Sequence, residues 1–340
     1  MKVCIVGLGA IGGLFAAWMG QRLAPGRITL SALARGETLA ALQRQHGLRL
    51  LGAAGTATVP LHASDTPAAL GVQDLVIVAV KGPALVGVAP AVAALSGPHT
   101  TVLVAMNGVP WWFFDGLDGP CDGLRLRSVD PADTLRAWMP SAKVVGGVVH
   151  ASSTVPAPGS VRPVNGQGLV IGRPAGGVDA GLQALAVLLG EAGFAVTASE
   201  RIQRDIWFKL WGNMTMNPVS ALTGATADRI LDDPLVRAFN SAVMREAQAI
   251  GAAIGIPIDQ SPEDRHAVTR KLGAFKTSML QDAEAGRALE LDALLGAVRE
   301  ISGHLQLATP NIDALFGLTR LMAQQRGLYP WPDPQVEAAA

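Results

Sequence analysis

The residues best placed to do chemistry lie in the run Asp205-Ile-Trp-Phe-Lys209-Leu-Trp-Gly-Asn213-Met-Thr-Met-Asn217-Pro218. Lys209, Asn213 and Asn217 recur every fourth position, so on a helix they make one polar stripe climbing about 6 Å per step. Their neighbours Ile206, Trp207, Leu210, Trp211 and Met214 are apolar. An ammonium and two amides on a helix otherwise dressed for burial need a wet cavity or partners, because desolvating them alone is costly. Pro218 has no N–H to donate to the carbonyl of Met214, which is expected to kink the helix beside the stripe.

A second cluster is Thr277-Ser278-Met-Leu-Gln-Asp282-Ala-Glu284-Ala-Gly286-Arg-Ala-Leu-Glu290-Leu-Asp292. On one straight helix Ser278 and Glu290 would stand about 120° apart, so both face one site only if the chain breaks between them. Gly286 is the expected break. Glu290 lies between two leucines, which implies partial burial and a need for a partner, and Lys209 is the candidate.

A third group opens the chain. The run Lys2 to Val6 leads into Gly7-Leu8-Gly9-Ala10-Ile11-Gly12, the spacing G-x-G-x-x-G that lets a backbone approach a pyrophosphate while the next helix aims its N–H groups and positive dipole end at the phosphates. Those glycines, with Gly13, also argue against reading residues 1–20 as a signal peptide or a membrane span. Cofactor choice is set at the end of the second strand, where an acid would take a ribose 2′-hydroxyl and an arginine a 2′-phosphate. The sequence there is Ile28-Thr-Leu-Ser31-Ala-Leu-Ala-Arg35, which favours NADP on Arg35 with Ser31 assisting, while Glu37 keeps NAD as the minority option. Lys81 and Asn107-Gly108 each follow an apolar strand and should meet the glycine loop and Arg35 in one crevice beyond the carboxyl ends of the strands.

These groups need a scaffold, and the pattern supplies one. Short apolar runs at Val3–Val6, Ile28–Leu33, Leu75–Val80 and Val102–Ala105 alternate with helical stretches, the signature of a parallel sheet with crossover helices. Further strands are expected over Val144–Ser152, Ser160–Pro163 and Leu169–Gly172, bent and antiparallel around Pro156, Pro158, Gly159 and Pro163. From Arg204 to Leu328 the texture is helical, with breaks at Gly224, Pro234, Pro257, Gly286 and Pro310, and Asp233 and Thr309 are expected to cap the helices that begin at the prolines following them. The fold class is therefore α/β: an N-terminal Rossmann-type doubly wound sheet, residues 1–200, followed by an all-helical C-terminal domain, residues 201–328. Residues 329–340 are expected to form a fraying tail.

Composition narrows the function. The 340 residues carry no net charge, with 49% hydrophobic residues, and lack the Lys/Arg clusters that nucleic acid or an anionic membrane would require. Two cysteines, Cys4 and Cys121, make no disulfide framework, which fits a reducing cytoplasm. The aromatic run Trp111-Trp112-Phe113-Phe114, read as exposed, and the apolar C-terminal helices leave room for a homodimer.

Taken together the motifs resemble those of the ketopantoate reductase (2-dehydropantoate 2-reductase) family, NADPH enzymes of the 6-phosphogluconate dehydrogenase-like superfamily, over nearly the whole chain. The pattern W-x-K-x-x-x-N-x-x-x-N-P is met by Trp207, Lys209, Asn213, Asn217 and Pro218; S-M-x-Q-D by Ser278 to Asp282; E-x-D by Glu290 to Asp292. The resemblance implies that Lys209 donates the proton, that Glu290 contacts the hydroxyl end of the substrate, that Ser278, Asn107, Asn213 and Asn217 bind a small 2-oxo acid, and that Gly7 to Gly12, Arg35, Lys81 and Asn107 hold NADP. It implies no metal. It departs from the family at the aromatic run, at a long Gly/Pro/Asp insertion through Met139, at Ala227 and at Phe275. Ketopantoate is therefore the first expected substrate, with a bulkier 2-oxo acid, a β-hydroxyacid or opine-type dehydrogenase, and a non-catalytic NADP-binding protein as the alternatives.

Overall fold

The computed structural model describes residues 1–53 and 55–331. Ten strands, β1 (Lys2–Val6), β2 (Thr29–Leu33), β3 (Leu48–Gly52), β4 (Gly55–Val59), β5 (His62–Ser64), β6 (Gln73–Val78), β7 (Ser96–Val104), β8 (Val144–Thr154), β9 (Ser160–Gly172) and β10 (Ala195–Ala198), form one sheet among the described residues. Its heart has the order β5-β2-β1-β6-β7-β8, parallel throughout. The chain winds outward from β1 to β2 and β5, then crosses back to β6, so the topological switch lies between β1 and β6. The crossover helices are α1 (Ala10–Arg22), α2 (Gly36–Gln45), α3 (Pro67–Leu70) and α4 (Gly82–Ala94), with α5 (Thr134–Trp138) and α6 (Ala180–Glu191) following.

The strands form because they are covered. Val3, Ile5, Leu75, Ile77, Leu103 and Val145 are completely buried, in one core with Leu14, Phe15 and Met19 of α1 and Leu182 and Leu189 of α6. Residues 1–20 are thus the first strand, turn and helix of this core. The two apolar stretches separated on reading at Ser160–Pro163 and Leu169–Gly172 are one strand, β9, paired antiparallel with β8 through register shifts near Ser152. The hairpin β3–β4 and the short strands β5 and β10 were not expected. In β4, β5 and β10 small and polar residues carry little hydrophobic alternation, and pairing to neighbours decides their conformation; β3 does alternate, Leu48 and Leu50 buried about an exposed Arg49, but over only five residues.

The helical part comprises α7 (Ile202–Thr223), α8 (Ala227–Asp232), α9 (Pro234–Ala253), α10 (Pro262–Arg270), α11 (Ser278–Glu284), α12 (Ala297–His304) and α13 (Pro310–Gln325). Asp233 caps α9 by accepting from the N–H groups of Leu235 and Val236. Thr309 does not cap α13; its hydroxyl bonds Ser302 instead, 3.2 Å away. By contacts the described residues divide into two compact units, one within residues 1–117, 122–125 and 130–205, the other within residues 118–121, 126–129 and 206–331. No helix of the described residues is long and apolar enough to cross a membrane.

Two expectations fail in ways that matter. Trp111, Trp112, Phe113 and Phe114 are not a surface: each is at most 2% exposed. Trp112 lies on Gly146 of β8, where any Cβ would overlap its ring, and the rings of Phe113 and Phe114 meet edge to face at 5.1 Å. The insertion behind them is ordered by Asp130, whose carboxylate accepts from the N–H groups of Thr134, Leu135 and Arg136, and by Arg136, which pairs with Asp115. The supposed tail is also anchored. Tyr329 donates to Asp292 Oδ1 at 2.5 Å and Leu289 N–H to the Leu328 carbonyl at 3.0 Å; the rest of that expectation, residues 332–340, lies outside the described residues.

Candidate active site

In the first unit the residues expected to bind a nucleotide share one edge of the sheet. Val6 pairs with Leu33 and with Val78, and Val78 with Val104, so the carboxyl ends of β1, β2, β6 and β7 stand in register. Just beyond them come Gly7, Arg35, Lys81 and Asn107. Gly7 has φ +90°, and a Cβ there would stand 2.5 Å from Val80 Cγ1, so the turn admits only glycine. A Cβ on Gly12 would overlap the Gly7 carbonyl oxygen, which is how the first turn of α1 comes to rest on the loop. Gly9 differs: nothing lies within 4 Å of the Cβ it lacks.

That division of labour fits a dinucleotide. One glycine makes the turn, one seats the helix, and one leaves an open approach to the N-terminus of α1, whose first N–H groups, at Ala10, Ile11 and Gly12, lack acceptors within the helix. Gly9 occupies the N-cap without a side chain to compete for them. Leu8 between the glycines is buried and anchors the loop. Arg35 is exposed at the N-terminus of α2, and its guanidinium has no acceptor among the described residues. Ser31 cannot assist it. Its hydroxyl lies inside β2, 6% exposed, donating to the Val3 carbonyl at 3.1 Å, since a serine in mid-strand satisfies its polarity within the sheet. Lys81 is exposed at the start of α4, and Asn107 is half-buried before Gly108, which turns at φ +80°.

In the second unit Lys209, Asn213 and Asn217 all lie on α7, which runs through Pro218 to Thr223. The stripe is not a solvated face. Lys209 and Asn213 are half-buried, Asn217 is 6% exposed, and Trp207, Leu210, Trp211 and Met214 beside them are buried. Those tryptophans fix the helix on α9: Trp211 Nε1 donates to the Met244 carbonyl at 2.9 Å.

Burial brings the Lys209 ammonium down to about 8, and the Glu290 carboxylate pulls in the opposite direction. Glu290 is 9% exposed between the fully buried Leu289 and Leu291. The chain does break between Ser278 and Glu290: α11 ends at Glu284, Gly286 turns at φ +65°, and Arg287 Nε closes the turn on Asp282 Oδ1 at 2.9 Å. Ser278 is exposed at the start of α11, which Thr277 caps by accepting from Leu280 N–H. Just past Glu290 the helix resumes as a π-turn, Asp292–Gly296, a geometry often found beside functional residues.

Sequence reading missed Tyr329, the one tyrosine of the chain, which holds Asp292 two positions beyond Glu290. Its singularity was the available signal. Burial raises the Asp292 carboxyl, and the Tyr329 hydroxyl offsets part of that rise. Among the described residues no cluster of His, Cys, Asp and Glu could hold a metal.

Comparison with known proteins bears on both units. Residues 3–176 match the family profile "Ketopantoate reductase PanE/ApbA" and residues 201–323 the profile "Ketopantoate reductase PanE/ApbA C terminal". A 2-dehydropantoate 2-reductase of Mesorhizobium japonicum is 40% identical over 329 residues, spanning 97% of this chain and 100% of that one. A crystal structure assigned to the ketopantoate reductases, from Ralstonia solanacearum, is 56% identical with a TM-score of 0.92, over 96% of this chain and 99% of that one. A D-mandelate dehydrogenase holding NADH and anilino(oxo)acetate shares the fold, at 19% identity and a TM-score of 0.81 over 96% of this chain and 100% of that one. With both profiles matched and a relative aligned from end to end, the chain belongs to the ketopantoate reductase family of NAD(P)-dependent oxidoreductases.

Proposed function

We propose that this protein reduces 2-dehydropantoate to pantoate with NADPH, residues 1–200 carrying the coenzyme and residues 201–328 the substrate and the acid. The observation that carries the reading is Lys209: an ammonium on a half-buried stripe, brought to about 8 by desolvation and coupled to the buried Glu290 carboxylate. The reduced nicotinamide, when bound, supplies the hydride. Reduction of a ketone puts negative charge on its oxygen, and Lys209 Nζ is the group that stabilises and then protonates that oxygen, a contribution of about 10² to 10⁴-fold. A free lysine, near 10.4, holds its proton too tightly to match a neutral medium; the shifted one transfers it more readily.

Glu290 keeps Lys209 charged before the transfer and accepts the substrate hydroxyl. Asn107, Asn213, Asn217 and Ser278 bind the oxo acid. Gly7 to Gly12 cradle the pyrophosphate and Lys81 adds positive charge, while Arg35, a planar fork with no acid at the end of β2 to compete, takes the 2′-phosphate. The aromatic run is core and so gives no argument for a bulkier oxo acid; the departures at Ala227, buried, and Phe275, exposed, still favour one.

NADPH oxidation measured against ketopantoate, 2-oxo acids lacking its hydroxyl, and aryl 2-oxo acids tests the reading. Ketopantoate should give the highest kcat/KM. Faster NADP⁺ reduction by hydroxy acids, or no turnover of any oxo acid, would contradict it.

A further inference from the structure

One cation beside the Lys209 stripe has no part in the reaction just described. Arg265 extends from α10 onto α7, its Cζ 5.2 Å from the centre of the Phe208 ring. A Cβ on Gly212 would stand 2.9 Å from Arg265 Nε and 3.0 Å from Nη2, so the glycine at this position gives the guanidinium its berth. The Nε is buried and has no acceptor among the described residues. The acids of its own helix are engaged elsewhere: Glu263 receives Arg245 and Ser241, both at 3.2 Å, and Asp264 closes the capping box with Ser261. An arginine cannot shed its proton at ordinary pH, and the face of Phe208 returns only part of what desolvation costs it. The side chain as a whole is only half-buried, so its fork can receive an anion from outside the fold.

The position indicates which anion. Phe208 precedes Lys209 and Gly212 precedes Asn213, so the guanidinium lies one residue step, about 100°, round α7 from the stripe. We propose that Arg265 is the fixed positive charge that binds the carboxylate of the 2-oxo acid, through its planar fork. This rests on the reductase reading and adds a division of charge to it. Lys209 becomes neutral when it gives up its proton, so it cannot hold the carboxylate throughout the reaction, whereas Arg265 keeps its charge.

Calorimetric titration of the NADP⁺-loaded protein with oxamate, an unreactive 2-oxo acid analogue, and with neutral oxamide tests this apart from turnover. Oxamate should bind the parent protein and lose about 10- to 100-fold in affinity in Arg265→Gln. Arg265→Lys should recover part of the loss, and Gly212→Ala, which keeps the arginine but fills its berth, should also weaken oxamate. Oxamide binding should be equal in all four proteins. Thermal melts identify a misfolded variant, in which case Gly212→Ala and Arg265→Lys decide. Oxamate affinity that is undetectable in the parent protein, or unchanged in the folded variants, overturns the proposal. Failure of every oxo acid to oxidise NADPH would instead overturn the reductase reading and leave the oxamate result to be judged alone.

Discussion

The Tyr329 hydroxyl donates to Asp292 Oδ1 at 2.5 Å, and the Leu328 carbonyl accepts from the Leu289 N–H at 3.0 Å, so one short segment grips the chain on both sides of Glu290. Tyr329→Phe keeps the ring and removes the bond, leaving a buried carboxyl without its donor. The expected cost is about 1 to 3 kcal/mol of stability, read from denaturant midpoints at unchanged slope. Asp292, released from Tyr329, should titrate at a higher pH still. Equal stability of the two proteins would show that the segment does not brace the Glu290 turn.

The pH dependence of the reaction follows from Lys209. On the proposed mechanism reduction needs the ammonium form, so kcat/KM for ketopantoate should fall as pH rises through about 8. Glu290 opposes the downward shift, so Glu290→Gln should move that inflection to lower pH. For stability the sign is opposite. The folded lysine releases its proton at a lower pH than the unfolded chain, whose lysine titrates near 10.5, so the unfolded state binds more protons between those values. Stability should therefore rise with pH across about 8 to 10.5, and Lys209→Met should flatten that rise in chemical unfolding curves.

Coenzyme choice is assigned to Arg35. Arg35→Ala should raise KM for NADPH about 10- to 100-fold, the value of a charge-assisted fork on phosphate, and leave NADH nearly unaffected. The ratio of kcat/KM for the two coenzymes reports it directly. An unchanged ratio would place the 2′-phosphate elsewhere.

The buried aromatic run makes a prediction about packing. Gly146→Ala drives a methyl group into the Trp112 ring and should destabilise the first unit by about 1 to 3 kcal/mol. Trp112→Ala should cost about 3 to 5 kcal/mol through the cavity it opens. Differential scanning calorimetry distinguishes these from the near-silence expected of surface aromatics.

Much of this was legible from residue order. The glycine spacing, the four-residue step of Lys209, Asn213 and Asn217, and the break at Gly286 each encode local geometry, and local geometry survives into the fold. What escaped was long-range. Ser31 reads as a strand-end hydroxyl, yet the register pairs it with Cys4 of β1, and its hydroxyl is taken up by the Val3 carbonyl. Trp111 to Phe114 read as surface because no periodicity marks a loop as core. Tyr329 lies 39 positions after Glu290, and only the tertiary path shows that its segment returns to the turn that glutamate occupies. Arg265 went unnoticed because a lone arginine among charged neighbours looks solvated until its berth at Gly212 is seen.

The role of Lys209 is tested most directly by rapid mixing of NADPH-loaded Lys209→Ala with ketopantoate, alongside equilibrium binding of NADPH to the same variant. NADPH should bind as in the parent protein, while the single-turnover rate falls by about 10² to 10⁴-fold. A variant that binds the coenzyme normally and turns over at the parental rate would show that the proton comes from another group.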